Sequence, residues 1–255
     1  MITNITPADW PYYTPENTVL YAIGDLHGNL DEHNMLYAIL ENEIAKSPEK
    51  EHIIIYLGDY VDRGPDSKKL IDRLIRIQNN DSPAKHIFLK GNHENGFIGY
   101  LDNPLSWTEW IQWGGVQTAQ SYGINIQDPA LIPSEHEQLQ RLLLKNMPPE
   151  HYSFLNLLEL KYVAGDYAFV HAGIQPGIPL EEQEEQDLTF IREPFLSWPH
   201  PHEKCIVHGH TITKEPEISL SRIGIDTGLY MHGILTCAIF EDNTVSVLQI
   251  NANDL

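Results

Sequence analysis

The stretch "IIIYLGDYVDRG", residues 53–64, joins a β-branched apolar run to a turn that holds two acids and a cation. An apolar run of this kind is typical of a buried strand, and glycine marks the point where such a strand ends. Asp59, Asp62 and Arg63 therefore lie within a few positions of a strand end. One acid could simply cap a turn, but two acids and an arginine indicate that this strand end holds something charged.

Four other β-like runs end in polar, glycine-containing turns, namely "GDLHG" (24–28), "GNHE" (91–94), "HAG" (171–173) and "HGHT" (208–211). The segments 30–46 and 67–78, between the first three strands, carry apolar residues at helical spacing. This order predicts parallel strands joined by crossover helices. Ligands of such sheets bind beyond the carboxyl ends of the strands, where all five clusters lie.

The rest of the chain predicts one domain over residues 1–255, with a mostly helical insertion at about 95–161. The runs 222–228, 234–242 and 244–250 are typical of strands, and we expect them to close the C-terminus as antiparallel neighbours.

Composition narrows the class of protein. The net charge of −20 argues against a broad nucleic-acid footprint. It is compatible with an anionic substrate, because bound divalent cations can invert the local sign of a site. We see no apolar run that could span a membrane and no secretory signal pattern, so we expect a cytoplasmic protein without a membrane partner. Cys205 and Cys237 lie in apolar segments and predict buried thiols. Composition leaves the oligomeric state open.

The five clusters supply nitrogen and oxygen donors. Asp25 and His27 are two residues apart, so in extended backbone their side chains would leave on the same side. Donors without thiolate favour manganese, iron or zinc. Each cluster alone is compatible with an ordinary turn, but five of them in one chain indicate a metal site. Spacing alone does not choose between His208 and His210.

The blocks "GDLHG", "GDYVDRG", "GNHE", "HAG" and "HGHT" resemble, in this order, the signature blocks of the phosphoprotein phosphatase family of calcineurin-like metallophosphoesterases. The segments "WTEWIQWGG", "TFIREPFL" and "RIGIDTG" are most similar to bacterial and bacteriophage-type serine/threonine protein phosphatases. The resemblance implies an α/β fold, a four-layer αββα sandwich of two mixed β-sheets flanked by helices.

The resemblance also implies two divalent metal ions, for which we expect manganese, with iron or zinc as alternatives. It assigns as metal ligands Asp25, His27, Asp59, Asn92, His171 and His210, with Asp59 bridging both ions. A hydroxide that bridges the metals would attack phosphorus in line. His93 matches the general acid, and Asp62 matches its carboxylate partner. The substrate phosphate would be held by Arg63, Arg192 and Asn92.

We expect a metal-dependent phosphatase that hydrolyses phosphoserine and phosphothreonine monoesters, with a phosphoprotein or a small phosphoester as its partner. The alternative is a dinucleoside tetraphosphate hydrolase, and a third possibility is an inactive phosphate-binding scaffold. The shortage of extra lysines and arginines weakly favours the monoesterase. Asp226 and Tyr230 are left open between structural and site roles, and the tryptophans at 107, 110 and 113 are interpreted as core.

Overall fold

The structure, a computed structural model that describes residues 2–80 and 82–254, contains two mixed β-sheets. The first sheet is built from β1 (Ile2–Asn4), β2 (Thr18–Ile23), β3 (Glu51–Tyr56), β4 (Ala84–Phe88), β10 (Ile234–Glu241) and β11 (Thr244–Asn251). Its strand order is β1-β11-β10-β2-β3-β4. β2, β3 and β4 are parallel neighbours, as the sequence predicts, and β10 runs antiparallel to both β2 and β11.

The second sheet is built from β5 (Lys161–Ala164), β6 (Tyr167–Val170), β7 (Cys205–His208), β8 (Glu217–Ile218) and β9 (Arg222–Gly224). Its order is β5-β6-β7-β9-β8, and β7 is parallel to both β6 and β9. The expectation that the run 222–228 joins the last two strands was wrong. β9 pairs instead with β7 and β8, and its Ile223 is buried in the cluster that lies between the two sheets.

The helices are α1 (Leu30–Ile44), α2 (Ser67–Asn79), α3 (Asn92–Asp102), α4 (Gly115–Ser121), α5 (Pro133–Asn146), α6 (Pro149–Asn156), α7 (Glu185–Phe190) and α8 (Leu229–His232). Short 3-10 turns occupy Thr108–Trp113, Leu180–Glu182 and Ala252–Asp254. The region from 95 to 161 is thus largely helical, and its description as an insertion in a single domain stays a prediction. No helix of the described residues has the length and apolar character to cross a membrane.

Alternate side chains of the strands sort the core into layers. In β2, Val19, Tyr21 and Ile23 belong to the large apolar cluster between the first sheet and the helices that cover it. Leu20 and Ala22 belong to the cluster between the two sheets. The outer face of the second sheet is covered by a smaller cluster that includes Leu180, next to α7. Period-two alternation places successive side chains on opposite faces, so both faces of the central strands are buried. The four-layer α/β sandwich is therefore confirmed.

Candidate metal centre and active site

The polar turns that follow the parallel strands meet at one edge of the two sheets. Seven of the sequence-predicted side chains around the candidate metals and acid are buried together with Asp62: Asp25, His27, Asp59, Asn92, His93, His171 and His210. Buried polar groups need partners, so this concentration indicates a site rather than solvated surface.

The backbone of these turns is unusual. Eight non-glycine residues in the described ranges have a positive φ, and five belong to the site: His27, Asp59, Asp62, Arg63 and His210. A left-handed conformation costs a non-glycine residue roughly 1–2 kcal/mol. Such residues persist where the surrounding structure holds them, and they cluster at functional sites.

Asp59 lies between two groups of potential metal ligands. One group consists of His27, Asp59 and His93, and the other of Asp59, His171 and His210, with the ligand atoms of each group within 4.8 Å of one another. The Asp59 carboxylate is 3.6 Å from His27 Nε2 and 3.4 Å from His171 Nε2. Burial opposes its charge, but the surrounding imidazoles outweigh burial and lower the pKa of Asp59. Its carboxylate is thus ionised and shared by both groups.

The hydrogen bonds of the histidine rings fix tautomers whose free nitrogen lone pairs point into the centre, toward other acceptors. His171 Nδ1 donates to the Leu57 carbonyl at 2.8 Å, so its Nε2 is an acceptor when the ring is neutral. That Nε2 faces another acceptor, Asn92 Oδ1, at 3.1 Å. His27 is arranged alike, since its Nδ1 donates to the Val61 carbonyl at 2.9 Å. A cation between these acceptors would relieve their repulsion.

Asp25 occupies the other side of the centre. Its carboxylate accepts the backbone N–H of His210 at 3.1 Å. A Cβ on Gly209 would lie 2.1 Å from Asp25 Oδ1, so only glycine permits this approach. Burial, together with Asp226 and Asp59, raises the pKa of Asp25 well above its usual value. Asp226, which the sequence leaves open, accepts Gly228 N–H at 2.9 Å, and burial raises its pKa to about 6.

Glu94 is a site residue that the sequence analysis missed. Its buried carboxylate accepts the backbone N–H groups of Asp59 and Tyr60 at 2.8 Å and of Gly91 at 2.9 Å, with that of Val61 at 3.3 Å. Burial, followed by Asp59, raises the pKa of Glu94 to about 7. Glu94 therefore fastens the turn that carries Asp59. Its place in "GNHE" was the available signal.

His93 and Asp62 form a buried pair. His93 Nδ1 is 2.7 Å from Asp62 Oδ2, and Asp62 is completely buried. Burial alone would lower the pKa of His93, but the carboxylates of Asp59 and Asp62 outweigh burial and raise it. A carboxylate on Nδ1 leaves Nε2 to face the centre, which suits a group that delivers a proton there.

Two arginines border the centre. Arg63 Nη2 is 3.1 Å from His93 Nε2, and its guanidinium lies 4.1 Å above the ring of Tyr230. Arg192 is exposed, and its Nη2 is 3.4 Å from the His210 carbonyl. Tyr230 also meets His27 edge to face, so it lies at the mouth of the site.

The structure separates the two histidines of "HGHT". His208 is the last residue of β7, and its ring packs against Phe195 and beneath Gly224, in neither ligand group. His210 itself has a φ of 60°, and its Nδ1 lies 2.8 Å from Asn92 Oδ1. Its Nε2 is buried without a partner. His210 is therefore the histidine of this block that faces the centre.

Comparison with known proteins places the chain in a family. A family model described as calcineurin-like phosphoesterase matches residues 18–232, most of the chain. The chain belongs to the calcineurin-like phosphoesterase family. The family and the enzyme class implied by the sequence blocks are thereby confirmed. Members of this family use divalent metal ions, and the acceptor-rich centre around Asp59 fits such ions.

Relatives of this calcineurin-like phosphoesterase carry several names. The chain is 27% identical to the asymmetrical bis(5'-nucleosyl)-tetraphosphatase PrpE of Anoxybacillus flavithermus, over 88% of the chain and 92% of the relative. It is 29% identical to the zinc-dependent endopolyphosphatase of Saccharomyces cerevisiae over 65% of the chain. It is 26% identical to Shewanella-like protein phosphatase 2 of Arabidopsis thaliana over 70% of the chain. The chain spans about half the length of these last two relatives.

The fold has a counterpart among solved structures. A crystal structure of a putative diadenosine tetraphosphatase matches with a TM-score of 0.61 and 18% identity, covering 93% of this chain and 98% of that one. At this identity the match supports the fold of the phosphoesterase and leaves its substrate open.

Proposed function

We propose that this phosphoesterase hydrolyses phosphoserine and phosphothreonine monoesters. The observation that carries the proposal is the buried pair of His93 and Asp62, 2.7 Å apart. An alkoxide is a strongly basic leaving group, so the breakage of its bond to phosphorus gains much from a positioned acid. A phosphate leaving group, as in a polyphosphate, is far less basic and gains little. The pair therefore favours an alkyl monoester.

In this proposal the centre holds two divalent ions, with manganese as the first candidate and iron or zinc as alternatives. Asp25 and His27 would bind the first ion, and Asp59 would contact both. The second ion would be bound by Asn92, His171 and His210. When bound, such ions supply Lewis-acid activation of the phosphoryl group and of water.

The remaining residues handle the phosphate and the proton. Arg63 and Arg192 would bind the non-bridging phosphate oxygens, because a guanidinium can donate two parallel hydrogen bonds. On arrival of the phosphate, Arg63 would leave His93 Nε2, which it now contacts at 3.1 Å. Once Arg63 has left, His93 Nε2 would take up a proton from solvent, which the carboxylates of Asp59 and Asp62 favour. His93 would then give this proton to the departing alkoxide, while Nδ1 stays hydrogen-bonded to Asp62.

Hydrolysis of dinucleoside tetraphosphates is the second candidate. It is supported by PrpE, whose name specifies that activity and which matches the chain over 92% of its own length. The exposed aromatic ring of Tyr230 at the mouth of the site is compatible with a nucleobase.

The deciding experiment strips the protein of metal, reloads it with manganese, and compares kcat/KM on a phosphothreonine peptide and on diadenosine tetraphosphate. We expect the peptide to be preferred. His93→Asn should slow turnover of the peptide while changing dinucleotide turnover little, because only the alkoxide needs the proton. A clear preference for the dinucleotide would replace the first proposal by the second. Absence of turnover on both would instead support a phosphate-binding scaffold.

A further inference from the structure

The segment that follows α3, from Trp107 to Ser121, lies against the turn that carries Asp62. Trp110 Nε1 donates to both carboxylate oxygens of Asp62, at 3.1 and 3.0 Å. Thr118 Oγ1 donates to Asp62 Oδ1 at 2.6 Å. Both residues are completely buried. The Asp62 carboxylate thus receives hydrogen bonds from a helical segment about fifty residues away in the sequence.

The direction of the Thr118 hydrogen bond is fixed by its surroundings. Its hydroxyl oxygen accepts the backbone N–H of Asp62 at 2.8 Å and lies 3.1 Å from the Ser67 hydroxyl. Because a carboxylate can only accept, the hydroxyl proton of Thr118 is directed at Asp62 Oδ1 rather than at Ser67. The indole N–H of Trp110 can only donate. With these two donors in place, one lone pair of Asp62 Oδ2 is directed at His93 Nδ1.

The same segment also holds the backbone next to Asp62. The φ angles of Asp62 and Arg63 are 72° and 67°, a left-handed pair without glycine. The carbonyl of Gly114 accepts the Arg63 N–H, and that of Trp113 accepts Arg63 Nε, both at 3.3 Å. A strained turn of this kind needs contacts that over-determine it.

We propose that Thr118 and Trp110 are positioning residues, which hold the Asp62 carboxylate and through it orient the His93 ring for proton delivery. This inference rests on the proposed function only for the effect that we expect on turnover of the phosphopeptide. Neither residue touches the reacting atoms, since each acts through Asp62. Trp110 was interpreted from the sequence as a core residue, and in this proposal it also holds the Asp62 carboxylate by hydrogen bonds.

The test uses two variants that remove a donor, of which Thr118→Val keeps the side-chain shape and Trp110→Phe replaces the indole by a smaller ring. Thr118→Val removes the hydroxyl, Thr118→Ser restores it, and Trp110→Phe removes the indole N–H. The chain offers matched controls in Thr14→Val and Trp10→Phe. The Thr14 hydroxyl also accepts a backbone N–H and donates to a carbonyl, and Trp10 Nε1 donates to the Tyr167 hydroxyl at 2.9 Å.

Turnover of a phosphothreonine peptide should be compared with that of 4-nitrophenyl phosphate, whose leaving group hardly needs a proton. We expect Thr118→Val and Trp110→Phe to lower kcat on the peptide about tenfold, a part of the 10²–10⁴ that a positioned acid supplies. KM, metal content and aryl phosphate turnover should change less than about threefold, and Thr118→Ser should recover most of the loss. In the His93→Asn background the same variants should have no further effect on the peptide. Equal losses on both substrates, or full additivity with His93→Asn, would overturn the inference.

A second readout needs no turnover. The Nδ1–H resonance of His93, assigned by its loss in His93→Asn, should exchange with solvent faster in Thr118→Val and Trp110→Phe than in the two control variants. Unchanged exchange in a folded variant would contradict the positioning role even if the phosphopeptide proves to be the wrong substrate. Conversely, faster exchange without any peptide turnover would reject the proposed function and keep the positioning role.

Discussion

Replacing Asp62 by asparagine removes one charge from the candidate acid pair and leaves the volume of the side chain unchanged. Its two oxygens now accept His93 Nδ1, Trp110 Nε1 and the Thr118 hydroxyl. An asparagine has only one acceptor oxygen, so either His93 or Thr118 must face an amide N–H₂ group. His93 would then lose the carboxylate that supports its charged form.

The expected loss of kcat follows from the hydrogen bond between His93 and the charged carboxylate. A hydrogen bond to a charged group contributes about 1.5–3 kcal/mol, and each 1.36 kcal/mol corresponds to a factor of ten. We therefore expect Asp62→Asn to lower kcat on a phosphothreonine peptide roughly ten- to two-hundredfold. Metal content should be retained, because Asp62 belongs to neither group of potential metal ligands.

The matched comparison is Asp59→Asn, which changes the carboxylate that belongs to both groups. The assay measures kcat and the number of metal ions per chain after manganese loading, with both variants treated alike. Asp59→Asn should lose metal, whereas Asp62→Asn should keep it and turn over slowly. Equal metal retention in the two variants would reverse the roles assigned to these acids, and a loss of less than threefold in Asp62→Asn would refute the reasoning about the pair.

Three further outcomes are expected. Arg192→Ala should raise KM for the phosphopeptide about tenfold or more, the loss of one charged hydrogen bond, with a smaller effect on kcat; an unchanged KM would place Arg192 outside the phosphate site. Glu94→Ala should lower the free energy of unfolding by roughly 2–6 kcal/mol in urea titrations, because at least two buried N–H groups lose their acceptor at about 1–3 kcal/mol each, whereas exposed Glu185→Ala is the control and should change it little. Burial lowers the pKa of His33 to about 3 and of His208 to about 4. Their folded pKa values lie below the unfolded value, so the unfolded chain binds more protons below about pH 6.5, and each ring should cost about 1.4 kcal/mol of stability per pH unit as the pH falls from there. His33→Leu should make that slope shallower by about the same amount; an equal slope would show that His33 is not neutral in the folded chain.

Much of the fold could be predicted from the pattern of strands. The apolar runs before residues 24, 58 and 91 end in glycine, and the segments between them become α1 and α2, within two residues of the predicted ends. The assignment of the run 222–228 to the C-terminal hairpin failed for a physical reason. A three-residue strand carries no signal for its partner, and β9 is placed by the sheet that surrounds it.

The period-two rule for strands also reached its limit at the centre. It placed Asp25 beside His27, and His208 beside His210, on the assumption of extended backbone. The strands end before that assumption applies, at Ile23 and at His208, and His27 and His210 take left-handed φ angles. A chain that turns between two donors no longer alternates, so spacing could not separate His208 from the centre. The family resemblance chose His210, and the structure places His208 in neither ligand group.

The contacts that sequence could not supply are those between segments far apart in the chain. Glu94 fastens the Asp59 turn, and Thr118 and Trp110 fasten Asp62. A hydrogen bond between a helical segment and a distant turn leaves no periodicity in the sequence, and a buried threonine or tryptophan is most often core. These contacts therefore become visible only when the burial of each donor and acceptor is accounted for.

The glycines of the sequence blocks specify distances rather than chemistry. A Cβ on Gly91 would lie 2.1 Å from Asp59 Oδ1, as one on Gly209 would from Asp25 Oδ1, although the φ of Gly91 is −96°, which any residue can adopt. Gly91 is thus required by the approach of a carboxylate and not by backbone conformation. Since each approach brings an acid of one block against the backbone of another, the blocks are interlocked. A centre built in this way holds its ligands close together before any ion arrives, and it follows that the donor residues alone, without their glycines, would not reproduce it.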